Sequence, residues 1–63
     1  MIAYKVNGNG DLSHRETLNN LDELNDWIAR KNFATIAVES ETTGVIRYFT
    51  DNGSTYIEIK PSL

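Results

Sequence analysis

The amino-acid sequence predicts an α+β domain: one helix packed on one face of a mostly antiparallel sheet of four to five strands, in the order β-β-α-β-β-β. Three observations carry this prediction. Only the stretch NLDELNDWIARKN, Asn20 to Asn32, places apolar residues at helical spacing, with Leu21, Leu24, Trp27 and Ile28 on one stripe. The stretches on both sides of it alternate apolar and polar residues, the period of half-buried strands. Asn52-Gly53 is the strongest short signal for a β-hairpin turn.

The elements follow in order. Ile2, Tyr4 and Val6 alternate with Ala3, Lys5 and Asn7, a strand that meets the turn Asn7-Gly8-Asn9-Gly10-Asp11. A three-residue loop with Gly10 left-handed would set Val6 opposite Leu12 and Tyr4 opposite His14. The returning segment, Asp11 to Thr17, is polar apart from Leu12 and reads as a short edge strand. Asn20 is the helix N-cap, and Glu23 is placed to reach back to its backbone N–H. Asp22 and Glu23 in the first turn and Arg30 and Lys31 in the last suit the helix dipole, and Asp26 and Arg30 are spaced as an ion pair. Asn25 and Asp26 are poor helix formers, so packing of the apolar stripe must hold this helix.

Phe33 to Glu39 is a third strand with Ala34, Ile36 and Val38 on one face, and Ser40 to Gly44 is a turn. Val45 to Thr50 and Thr55 to Lys60 are the last two strands, the second ended by Pro61. A tight turn at Asn52-Gly53 pairs Phe49 with Tyr56, Tyr48 with Ile57, Arg47 with Glu58 and Ile46 with Ile59. Ile46, Tyr48, Ile57 and Ile59 are then expected to face the helix, leaving Arg47, Phe49, Tyr56 and Glu58 outward. The expected core is Ile2, Tyr4, Val6, Leu12, Leu18, Leu21, Leu24, Trp27, Ile28, Ile36, Val38, Ile46, Tyr48, Ile57 and Ile59.

Composition narrows the function classes. The chain of 63 residues is a single domain, residues 1–63, with 40% hydrophobic content, near the size at which stability is marginal. It has no cysteine, so no disulfide or thiolate chemistry is available and the cytoplasm is the expected compartment. No continuous signal-peptide core or bilayer-length apolar run is present, and no membrane association is expected. A net charge of −3 disfavours a phosphate-backbone binder and favours a partner with a basic surface.

The chemical motifs are thin. Asn7, Asn9 and Asp11 are spaced like the first ligands of a calcium loop, but Leu12 and Leu18 stand where that loop needs Gly and Glu. Gly8-x-Gly10 lacks the rest of a dinucleotide fingerprint. Ser13 and His14, near Asp11, suggest a hydrolase triad, yet adjacent strand residues point to opposite faces. One histidine without cysteine is a poor start for zinc, and Asn52-Gly53-Ser54, although a glycosylation acceptor pattern, reads as a hairpin turn. No catalytic set, metal site or cofactor is therefore expected.

Two surface features remain. An outward Phe49/Tyr56 strip is either a partner anchor, a platform for stacking bases, or a cross-strand pair that only stabilises the sheet. Asp22, Glu23 and Asp26 on the helix exterior, with Glu39, Glu41 and Asp51 at strand ends and loops, form either a solvated face or a surface that occupies a basic groove.

With the strand Ile2 to Asn7, the capped helix NLDELNDWIARKN and the meander FATIAVESETTGVIRYFTDNGSTYIEIKP, the chain resembles the anti-CRISPR proteins. These are small inhibitors encoded by bacteriophages and other mobile elements. The resemblance implies a non-enzymatic inhibitor that binds a CRISPR effector, a type I surveillance complex, in the cytoplasm of a bacterial host. It implies a block of target-DNA binding by a DNA mimic, with acidic groups standing in for phosphates and Phe49 or Tyr56 as an apolar anchor. A protein partner, no direct contact with nucleic acid and a monomer rather than a dimer are the corresponding expectations. The rival reading is a small nucleic-acid-binding or regulatory module using an exposed aromatic sheet face.

Overall fold

The computed structural model describes residues 1–59; Lys60 and Pro61, the expected end of the last strand, lie outside the described residues. The chain forms β1 (Ile2–Val6), β2 (Leu12–Thr17), α1 (Leu21–Lys31), β3 (Thr35–Glu39), β4 (Ile46–Asp51) and β5 (Tyr56–Ile59). The strands make one antiparallel sheet in the order β2-β1-β3-β4-β5, with β2 and β5 at its edges. The fold is the α+β architecture read from the sequence.

Local chemistry explains the helix ends. Asn20 accepts a hydrogen bond from the Glu23 N–H at 2.9 Å, satisfying one orphan donor of the first turn. Glu23 reaches back one residue further than expected and accepts the Asn19 N–H at 3.0 Å. Asn32 stops the helix in the left-handed region, its N–H bonded to the Ile28 carbonyl. Arg30 does not pair with Asp26; its guanidinium lies 3.5 Å from Glu16 on β2 instead.

The first hairpin follows its turn chemistry, with Gly10 left-handed at φ 89° and Val6 opposite Leu12. Tyr4 does not face His14 alone. Ala3 pairs with Glu16 and Lys5 with Ser13, so His14 and Arg15 together oppose Tyr4 in a β-bulge. His14 takes φ 55°, and the bulge swings its ring to within 5.0 Å of Phe33.

The core lies between α1 and the sheet. Ala3, Leu18, Trp27 and Ile36 are buried there, with Leu24, Ile28, Phe33, Phe49 and Tyr56 packed around them. Trp27 is the largest fully buried side chain and meets Phe33 edge-on at 5.7 Å. The small Ala3 beneath the helix leaves room for the bulky aromatic residues of this layer.

The expected facing of β4 and β5 is reversed, and so is that of β1, where Ala3 rather than Ile2, Tyr4 or Val6 meets the helix. Ile36 pairs with Phe49 and Phe49 with Glu58, so Phe49 and Tyr56 share the helix side with Ile36. Tyr48, Ile57 and Ile59, expected in the core, are exposed on the opposite face, and Ile2, Tyr4, Val6, Leu12 and Ile46 are half-buried there. Leu21 is 68% exposed because it sits at the flank of the buried stripe. The hairpin register also slips by two residues, Asp51 opposite Tyr56 and Tyr48 opposite Ile59. A two-residue slip preserves facing, so the reversal of β4 and β5 originates in the pairing of β3 with β4, and that of β1 in the pairing of Ala3 with Val38.

The Trp27 Nε1–H finds no acceptor among the described residues. Trp27→Ala is expected to remove about 3–5 kcal/mol, most of the roughly 3–9 kcal/mol that a chain of this length holds. Trp27→Phe loses indole area and also the unpaired donor, and is expected to cost no more than about 2 kcal/mol. Urea denaturation followed by far-UV circular dichroism checks both.

Candidate functional site

One helix does not cover the helix-side face of all five strands. Leu21, Leu24 and Ile28 form a wall, and Val38, Phe49 and Tyr56 form a floor, of a groove that runs beside α1 over β4 and β5. Its two ends enclose about 490 Å³ and about 680 Å³ and meet at Leu24, Val38 and Phe49. Volumes of this size suit an apolar side-chain cluster or a small ligand.

Each groove residue is set by the fold. Phe49 reaches the floor through its pairing with Ile36, and Arg47 stands over its ring at 5.7 Å. Arg47 also makes a bidentate ion pair with Glu58, at 2.9 and 2.7 Å. The two are diagonal neighbours rather than directly opposed, and both lie on the helix side rather than outward. Tyr56 donates its hydroxyl to the Phe33 carbonyl, tying β5 to the segment that follows the helix. Burial, reinforced by the Asp51 carboxylate, pushes the Tyr56 phenol above its ordinary pKa.

The eight residues singled out from the sequence divide into three places. Phe49, Tyr56, Asp51 and Glu41 line the groove, the first two as floor rather than as an outward strip. Asp22, Glu23 and Asp26 lie on the helix exterior. Glu39 is on the opposite sheet face, where it accepts the Tyr4 hydroxyl at 2.6 Å and raises that phenol's pKa.

Most of the acidic groups already have local partners. Glu23 accepts from Asn19, Asp51 accepts the Gly53 N–H at 2.8 Å, and Glu41 lies 3.6 Å from the Met1 amino group. Asp22 and Asp26 form no hydrogen bond or ion pair through their carboxylates among the described residues. They remain available to a cation.

The bulge brings together two residues that strand geometry would separate. Ser13 Oγ lies 2.9 Å from His14 Nδ1 and accepts from Asn7 Nδ2 at 3.0 Å. No signal in the sequence announced this contact, because it depends on the left-handed φ of His14. Among the described residues no carboxylate bonds the imidazole, so the orienting member of a triad is missing. No three His, Asp or Glu side chains among the described residues converge on a point that could hold a metal ion. No described helix is long and apolar enough to cross a membrane.

No protein-family model, curated protein or solved structure matches this chain. The site must be read from its own chemistry. Phe49 and Tyr56 are half-buried in the groove floor on the helix side, not on the helix-free face to which the base-stacking reading assigned them.

Tyr56→Phe removes the hydroxyl that anchors Phe33 and is expected to cost about 1 kcal/mol at neutral pH. A phenol with a raised folded pKa contributes stability below its unfolded value of about 10 and loses it as pH rises through the folded value. The parent protein should therefore weaken in alkali more steeply than Tyr56→Phe, with Tyr4 leaving a residual slope. Urea denaturation at neutral and alkaline pH measures the difference.

Proposed function

We propose that the protein is a non-enzymatic inhibitor that binds a protein partner through the groove beside α1 and acts by occupancy. The observation that supports this reading is the groove itself: an open apolar floor of Phe49 and Tyr56 with carboxylates, Asp51 and Glu41, at its two ends. Such a surface suits a segment that presents an apolar side chain flanked by lysine or arginine. Asp22 and Asp26, on the adjoining helix surface, add negative charge that would steer a basic partner toward it.

The resemblance to anti-CRISPR proteins gives the proposal its specific form. The partner is a CRISPR effector, with a type I surveillance complex as the one to try first, and the inhibitor covers a basic surface used for target DNA. Phosphate mimicry falls to Asp22 and Asp26 chiefly, because the other carboxylates are engaged in the fold.

Binding of tagged protein to purified surveillance complex, with and without target DNA, tests this reading. Expected are competition with DNA, a loss of at least about tenfold on Leu21→Lys at the groove wall, and a smaller loss with reduced salt sensitivity on Asp22→Asn/Asp26→Asn. Absence of binding to any effector complex would remove the inhibitor reading. Binding indifferent to Leu21→Lys would remove the groove.

A further inference from the structure

We infer that the bare face of the sheet closes against the same face of a second copy, giving a two-fold dimer with both helices outside. Tyr4, Tyr48 and Ile59 stand in one ladder row on this face, flanked by Ile2 and Ile46 on one side and Ile57 on the other. Tyr48, Ile57 and Ile59 are 37, 47 and 44% exposed. Ala37, between the two tyrosines, is fully buried although no helix lies above it, so the face is already closely filled at its centre. Glu39 stands between Ile2 and Ile46, and Thr35 and Thr50 share a row with Ile57, so the exposed apolar surface groups at Tyr48, Ile57 and Ile59, neighbours across β4 and β5 that suit an apolar contact.

Charge selects the occupant. Among the described residues the strand positions pointing this way carry one carboxylate, Glu39, bonded to the Tyr4 hydroxyl, and Arg15 of the bulge approaches the same hydroxyl. A basic partner would meet one acid and a nucleic acid one cation. A second copy meets apolar rows like its own and an Arg15/Glu39 set of opposite signs, which a two-fold axis can cross-match. Stacking the bare faces also keeps Asp22, Glu23 and Asp26 of each chain on the outside, so the net charge of −3 opposes the contact little.

Area agrees. The broad side of the molecule, 30 × 28 Å in outline with its loops, is wide enough to seat an interface of the standard size of about 800 Å² per partner. The dimer departs from the monomer expected from the sequence, in which these isoleucines are core. It involves no groove residue, so the dimer and the inhibitor reading stand or fall separately.

Sedimentation equilibrium of the full chain through the micromolar range tests the dimer. The expected result is a mass that rises from 7.1 kDa toward twice that value. Tyr48→Lys and Ile57→Glu change exposed side chains and should each weaken association at least about tenfold while circular dichroism stays unchanged. Dilution of the unmodified protein, followed by amide chemical shifts, adds a test that needs no variant: shifts should concentrate at Ala37, Tyr48 and Ile57. A single-chain mass throughout, a dimer that both variants leave intact, or dilution shifts confined to α1 and the groove would each overturn the proposal.

Discussion

The structure depends on a mismatch between one short helix and a wide sheet. Eleven helical residues span about 16 Å and a helix is about 10 Å across, whereas five strands spread over roughly 19 Å or more. Trp27 fixes where the helix sits, because its indole is fully buried with Ala3 and Ile36 as its neighbours in the core. Everything outside that footprint is left to solve its own burial problem. On the helix side, β4 and β5 retain an open groove; on the other side, the whole sheet is uncovered.

That mismatch explains what could be read from the sequence. The helix was legible in its place and its N-cap, since Asn20 and the Leu24/Trp27/Ile28 part of the stripe encode local preferences that the tertiary structure respects, whereas Leu21 of the same stripe is exposed and the left-handed stop at Asn32 was not read. The order of elements along the chain and the edge character of β2 were legible for the same reason. The facing of β4 and β5 was not, nor was that of β1, whose Ala3 rather than Ile2 or Tyr4 lies under the helix. Facing is set by whether Ile36 meets an odd- or even-numbered residue of β4, and the loop after Ser40 decides that parity. Gly44 at φ 74° lets Ser40 pair with Val45, which carries Ile36 to Phe49 rather than to Tyr48. Hydrophobicity offered no warning, because both faces of β4 and β5 hold large apolar residues.

The site was legible in composition and not in arrangement. Phe49, Tyr56, Asp51 and Glu41 do converge, but on a groove behind the face to which the aromatic pair was assigned. The carboxylates looked alike in the sequence, and only partners separate them: Glu39 serves Tyr4, Glu23 serves Asn19, and Asp51 serves the Gly53 turn. A carboxylate that caps a turn still carries charge, yet moving it to meet a partner breaks a local bond. Asp22 and Asp26 have no such bond to lose. The Ser13–His14 contact is the converse case, a pairing created by a bulge that no period-two pattern encodes.

The two uncovered surfaces have different chemistry, and this bears on how they would work together. The groove carries charges of both signs, Asp51 and Glu41 with Arg47 and the Met1 amino group, whereas the bare face is nearly uncharged and presents mostly apolar side chains. A dimer closed through the bare faces would carry its two grooves on opposite outer sides, each still open. Such an assembly could not place both grooves on one flat patch, and would engage two separate basic sites or bridge two partner molecules. Its gain over a single chain would then come from effective concentration, large where the partner repeats its basic surface at matching spacing and absent where it does not.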